Sequence, residues 1–166
     1  MSTVEQKIEF ERHVKQNMKK AYFSALGILR DHDLAMEASQ SAFVKAYKSF
    51  GTFDKTKNFF TWYYKILRNN CLNIIRDNKK LVHEDSNNYL EYTFEENDLN
   101  QNIENREIYE LTKKEISNLE TTDREVLILR EFEGYSYEEI SEMMQIPIGT
   151  VMSKIYYARK KIAKRI

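Results

Sequence analysis

The sequence predicts an all-α chain: two small helical domains joined by a flexible acidic linker, the second domain ending in a helix-turn-helix. Three observations carry this expectation. Apolar residues recur at helical spacing on both sides of a polar middle segment. Charge is segregated along the chain. Residues 1–80 carry fifteen bases and eight acids, net +7, and residues 81–118 carry three bases and ten acids, net −7. Finally, Ser136–Ile166 reads as two short helices around the break Gln145-Ile146-Pro147. The whole chain is formally neutral, so only its division into segments is informative.

The first helix is expected from about Val4 to Leu29, with Ile8, Val14, Met18, Tyr22, Ala25, Leu26 and Leu29 as its apolar stripe. Asp31-His32-Asp33 punctuates it. A second helix is expected from Leu34 to about Phe50, where Ala35, Ala38, Ala42, Ala46 and Phe50 share a side and the alanines allow close helix approach. Its other faces show Glu37, Gln40, Ser41, Lys45 and Lys48, which by themselves suit a plain solvated surface. Gly51 ends this helix, and a loop, Thr52–Asn58, follows.

Five of the six residues Phe59–Tyr64 are aromatic and open the third helix. Its buried stripe is expected to be Tyr63, Ile66, Leu67, Cys71, Ile74 and Ile75, with Lys65, Arg68, Asn69 and Arg76 away from it. Rings at the start of a helix and bases along its flank suit single-stranded nucleic acid, because bases stack on rings while cations follow the phosphates. The competing reading makes the rings core, as aromatic stripes more often are, and Trp62 and Tyr63 at least half fit it.

Residues 81–107 are rich in Asn and acid with little apolar periodicity, and are expected to be a linker between domains at 1–80 and 108–166. Helix returns near Ile103 and runs toward Leu119. Thr122 with Glu125 has capping-box spacing and is expected to start a helix through Val126, Leu127, Leu129 and Phe132 that Gly134 stops. Ser136 with Glu139 repeats the spacing before Ile140, Met143 and Met144. The last helix has Val151, Ile155 and Ile162 on one side. From Gln145 onward there are six bases and no acid, a composition suited to a phosphate backbone. Thr150, Ser153, Lys154, Tyr156 and Tyr157 stand in the N-terminal half, where a recognition helix reads base edges, and Lys160 and Lys161 follow toward the phosphates. The plainer alternative is an amphipathic helix with a solvated lysine face.

Other classes find little support. The one cysteine, Cys71, allows no internal disulfide. The N-terminus lacks a signal-peptide core, no apolar run reaches the roughly 20 residues of a membrane span, and a cytoplasmic protein is expected. His13, His32 and His83 are far apart without cysteine partners, so neither metal nor cofactor is expected. No phosphate loop, nucleophile elbow or other catalytic constellation is present, and the chain is not expected to be an enzyme.

Two blocks carry a family resemblance. Gln40–Phe50 with Phe59–Asp77 resembles the N-terminal conserved domain of bacterial RNA polymerase sigma factors of the short, extracytoplasmic-function type. Leu119–Ile162 resembles their C-terminal domain, in the right order and beyond a linker. The resemblance implies core RNA polymerase and promoter DNA as partners, the DNA both as duplex and as melted non-template strand, and admits an anti-sigma factor. It implies that Glu37, Gln40, Phe43, Lys45 and Tyr47 dock on polymerase. It also implies that Lys57, Asn58, Phe59, Trp62, Tyr63, Lys65 and Arg68 melt the minus-ten element and capture an unstacked base, and that the helix after Pro147 reads the minus-thirty-five element. Ser41 stands where the family usually has an acid, and Met152 and Tyr157 where it usually has bases. The runner-up is a helix-turn-helix regulator that never joins polymerase, which leaves the aromatic cluster unexplained. A purely protein-binding module sits poorly with the acid-free C-terminal helix.

Overall fold

A computed structural model of the chain describes residues 2–78 and 103–166. The chain divides into two compact units, Met1–Ser86 and Asn87–Ile166, and the regular structure of the described residues is helical.

The N-terminal unit packs three helices against one another: α1 (Thr3–Leu29), α2 (His32–Lys48) and α3 (Phe59–Asp77). Ser2 and Glu5 form a capping box at the start of α1, the Glu5 amide donating to Ser2 Oγ at 3.2 Å and the Ser2 amide to Glu5 Oε2 at 3.1 Å. Arg30 closes α1 in a left-handed conformation, φ 55°. Asp31 then caps α2 by accepting the Leu34 amide at 2.9 Å, so α2 starts at His32, earlier than expected. It also ends earlier, at Lys48, and Phe50 belongs to a tight turn over Phe50–Thr52.

The alanine side of α2 forms as expected, with Ala35, Ala38, Ala42 and Ala46 fully buried. Two stripes differ from expectation. On α1 the buried side runs through Phe10, Ala21, Ala25, Leu26, Ile28 and Leu29, while Ile8 and Met18 face solvent. His13 and Asn17 occupy this side, and their polarity hides its periodicity. On α3 the buried side holds Phe60, Tyr64 and Asn70 with Tyr63, Leu67 and Cys71, and leaves Ile66, Ile74 and Ile75 half-buried.

The C-terminal unit contains α4 (Ile103–Ser117), α5 (Thr121–Leu127) running into a wide turn at Ile128–Phe132, α6 (Tyr137–Met144) and α7 (Ile148–Arg165). Residues 81–102 of the expected linker lie outside the described residues, and its last five residues open α4. The expected Thr122–Glu125 capping box does not form. The cap position is Glu120, and Thr122 already lies inside α5. The junction is held instead by Arg124, whose buried guanidinium donates to the carbonyls of Ser117 at 3.3 Å and Leu119 at 2.9 Å. This satisfies backbone acceptors that the end of α4 leaves over.

Gly134 takes the left-handed conformation, φ 75°, that a side chain would strain. The capping box of Ser136 and Glu139 then starts α6, with both hydrogen bonds at 3.1 Å. Gln145, left-handed at φ 55°, and Pro147 turn the chain into α7, while Ser141 Oγ donates to the Ile146 carbonyl at 2.6 Å. α7 packs on α4, α5 and α6, burying Val151, Ile155 and Ala158 against a core that includes Ile140, Met143 and Met144; Ile162 is half-buried.

Candidate nucleic-acid interface

Burial of one side of α7 decides what the other side offers. Opposite Val151, Ile155 and Ala158 lie Gly149, Ser153, Tyr156 and Lys160, flanked by Met152 and Tyr157. Tyr156, Tyr157 and Met152 are 60%, 58% and 47% exposed. The two tyrosine rings meet edge to face at 5.2 Å. Ser153 Oγ donates back to the Gly149 carbonyl at 2.9 Å, and Thr150 is half-buried.

Lys154 does not belong to the exposed face. Its ammonium lies 3.0 Å from Asp123 Oδ1, a buried carboxylate on α5, while Lys161 approaches the other oxygen at 3.9 Å. The expectation that Lys154 reads a base edge is therefore corrected: burial of Asp123 demands a cation, and Lys154 supplies it. Arg159 is likewise paired, with Glu131 on the turn after α5, and Arg165 lies 3.7 Å from Glu115.

The aromatic stretch divides between core and surface. Phe59 is 5% exposed and Tyr63 fully buried. Phe59 stacks on His13 at 4.4 Å between centroids and meets Phe10, Phe50 and Phe53. The Tyr63 hydroxyl donates to the Ser39 carbonyl at 3.1 Å, and burial raises its pKa strongly. Neither ring is available to stack on a base, which corrects the expectation for both. Trp62 is half-buried, leaning on Phe53 at 5.1 Å and Phe59 at 5.7 Å. Asn58 caps α3, accepting the Thr61 amide at 3.1 Å. Lys57 is exposed beside it, in a loop shaped by the Asp54 carboxylate, which accepts the Thr56 amide at 3.0 Å and hydroxyl at 2.7 Å. Half-buried Lys65 and Arg68 follow Trp62 at three-residue steps along α3.

His13 is shifted as well. Burial lowers its pKa, against the pull of Glu9 in the opposite direction; Arg12 and Lys55 also lower it. Glu9 is itself paired with Lys55 at 2.7 Å.

On α2, Glu37 and Gln40 are exposed, as is one side of Tyr47, whose ring packs against Phe10 at 5.2 Å. Phe43 is half-buried, stacked on Tyr63 at 4.4 Å. The Lys45 ammonium donates to the side-chain carbonyl of Asn70. Asn70 Nδ2 in turn donates to Ser41 Oγ at 2.8 Å and the Ala38 carbonyl at 3.3 Å, so the serine at this position is tied to α3. Exposed Met36 and Val44 continue the same surface as Gln40 at four-residue spacing. They escaped sequence reasoning because they interrupt a polar face rather than forming a stripe.

A helical N-terminal unit with an exposed polar face on α2, followed by a helix-turn-helix unit with an acid-free final helix, fits a transcription-type DNA-binding protein. Comparison with known proteins makes it specific. Residues 13–81 match the model of Sigma-70 region 2, and residues 106–162 that of Sigma-70, region 4. The RNA polymerase sigma-H factor of Pseudomonas aeruginosa is 32% identical, over 100% of this chain and 96% of the relative. The ECF RNA polymerase sigma-E factor of Haemophilus influenzae is 35% identical, over 76% of this chain and 71% of the relative. Among solved structures, the sigma factor RpoE of Bartonella quintana, in complex with the anti-sigma factor NepR, has a TM-score of 0.69 at 20% identity and covers 94% of this chain and 95% of its own. CnrH in complex with the cytosolic domain of CnrY has a TM-score of 0.64 at 18% identity, covering 95% and 87%. The chain belongs to the sigma-70 family, among the extracytoplasmic-function RNA polymerase sigma factors.

Proposed function

We propose that this sigma factor binds core RNA polymerase through α2, opens the minus-ten element with the loop before α3 and α3 itself, and reads the upstream element with α7. The observation that carries the reading is the presence of both family regions, in order, on a chain that spans 96% of a sigma-H relative. The exposed face of Met36, Glu37, Gln40, Val44 and Tyr47 supports polymerase docking by α2. Lys45, tied to Asn70, and Phe43, stacked on Tyr63, shape that face from its edge.

For strand opening, Trp62 is the ring that stacks on an extruded base, with Lys57, Lys65 and Arg68 on the backbone. Asn58, Phe59 and Tyr63 position it. RNA synthesis remains the polymerase's chemistry; this chain contributes recognition and melting and is not itself an enzyme. It acts in the cytoplasm, with the polymerase. Among the described residues no helix is long and apolar enough to cross a membrane. An anti-sigma factor, the class of partner present in the RpoE complex, is its proposed regulator. A regulator that never joins polymerase would leave the region 2 match without a role.

Permanganate footprinting of unpaired thymines tests the division of roles. In holoenzyme, Trp62→Leu is expected to reduce opening by roughly five- to 150-fold while closed-complex binding stays within twofold, from about 1–3 kcal/mol per stacked base. Phe59→Leu is expected to lower the stability of the N-terminal unit instead. Equal loss of binding and opening in Trp62→Leu would remove the base-capture role.

A further inference from the structure

We propose that α7 recognises its upstream element chiefly through thymine 5-methyl groups, with Met152 and Tyr156 as the specificity-determining side chains. The inference deepens the promoter-reading role and rests on it. From Ile148 to Tyr157, the part of a recognition helix that meets base edges, the helix carries no arginine, asparagine or glutamine. Its one cation there, Lys154, is held by buried Asp123. Ser153 commits its O–H donor to the Gly149 carbonyl, which leaves it only an acceptor and no bidentate contact. The groups that ordinarily make bidentate hydrogen bonds to guanine or adenine are thus missing or engaged.

What the face does present is apolar surface. Ile148, Met152 and Tyr156 follow at four-residue spacing, all exposed, with Tyr157 beside them. In the major groove the one apolar base feature is the methyl group of thymine. The same helix supplies the charge that brings it there: Lys160 and Lys164 continue this face one and two turns on, and α7 contains no acid. Gly149 points the same way. A Cβ built on it meets nothing within 4 Å, so the fold does not require a glycine there. Its bare backbone does allow an outside surface to approach the face closely.

The test uses holoenzyme and duplexes it selects from a random-sequence library. Within the enriched upstream element, each thymine is replaced by deoxyuridine, which lacks only the methyl group, and each guanine by 7-deazaguanine, which lacks the N7 acceptor. Wild-type holoenzyme is expected to bind about fourfold more weakly for each contacted methyl removed, and to tolerate 7-deazaguanine. Met152→Ala and Tyr156→Ala, both at exposed positions, are expected to bind the thymine and deoxyuridine duplexes alike. A tight deoxyuridine complex together with a tenfold loss on 7-deazaguanine would overturn the proposal while leaving promoter reading by α7 intact. A deoxyuridine penalty that persists undiminished in both variants would also overturn it, since the methyl would then act through DNA stiffness. Enrichment of no common upstream element would overturn it together with the promoter-reading role.

Discussion

The Lys154 ammonium sits 3.0 Å from the Asp123 carboxylate, joining α7 to α5 behind it. The pair is shielded, with side-chain exposures of 27% and 12%, so its removal is felt more than that of a surface pair. Lys154→Ala is expected to destabilise the C-terminal unit by about 1–2 kcal/mol, with Lys161 partly replacing the lost charge. DNA binding by the remaining folded protein should weaken alike for all sequences. Urea denaturation with binding to several duplexes checks this. A loss confined to one base position would mean that Lys154 leaves Asp123 to read DNA.

Among the described residues Arg124 is the largest fully buried side chain, and two carbonyls at the α4–α5 junction depend on it. Arg124→Met keeps most of the unbranched apolar stem and removes the donors. It is expected to lower stability by about 2–3 kcal/mol, the scale of buried acceptors left unpaired. Hydrogen exchange should localise the loss to Ser117–Leu127. Unchanged protection there would show that water can take the guanidinium's place.

His13 makes the N-terminal unit sensitive to acid. Its folded pKa is lowered from the ordinary 6.5, chiefly by burial. The folded state therefore binds its proton less readily than the unfolded chain. The stability it contributes is complete above about 6.5 and is lost as pH falls through the lower folded value. Trp62, the only tryptophan, lies in this unit and reports its unfolding separately. The urea midpoint followed by Trp62 fluorescence should fall between pH 7.5 and 5.5, and His13→Leu should flatten that fall. An equal slope in the variant would assign the effect to other groups, Glu9 among them.

Much of this was legible in the sequence because local chemistry dictated it. The Ser136–Glu139 box, the break at Gln145–Pro147 and the alanine side of α2 each follow from a residue type at a fixed spacing. What was not legible depended on partners distant in sequence. Lys154 reads as an exposed base until Asp123, 31 positions earlier, is brought against it. Phe59 and Tyr63 look like Trp62 in the sequence, yet His13, Phe50 and Phe43 enclose them. Thr122 carries capping-box spacing, but the chain enters α5 two residues sooner, with Glu120 at the cap position, and Arg124 holds the junction. On α1 the polar His13 and Asn17 stand on the buried side, so an apolar count points to the wrong face.

Whether the two units together give RNA polymerase a promoter preference is decided by run-off transcription. Purified core polymerase, with and without the full chain, is supplied with a library of genomic fragments, and transcript 5′ ends are sequenced. Start sites are expected that appear only with the chain present and share two sequence elements at constant spacing, one for each unit. Specific duplex binding by the chain with no new start sites at saturating protein would contradict that preference.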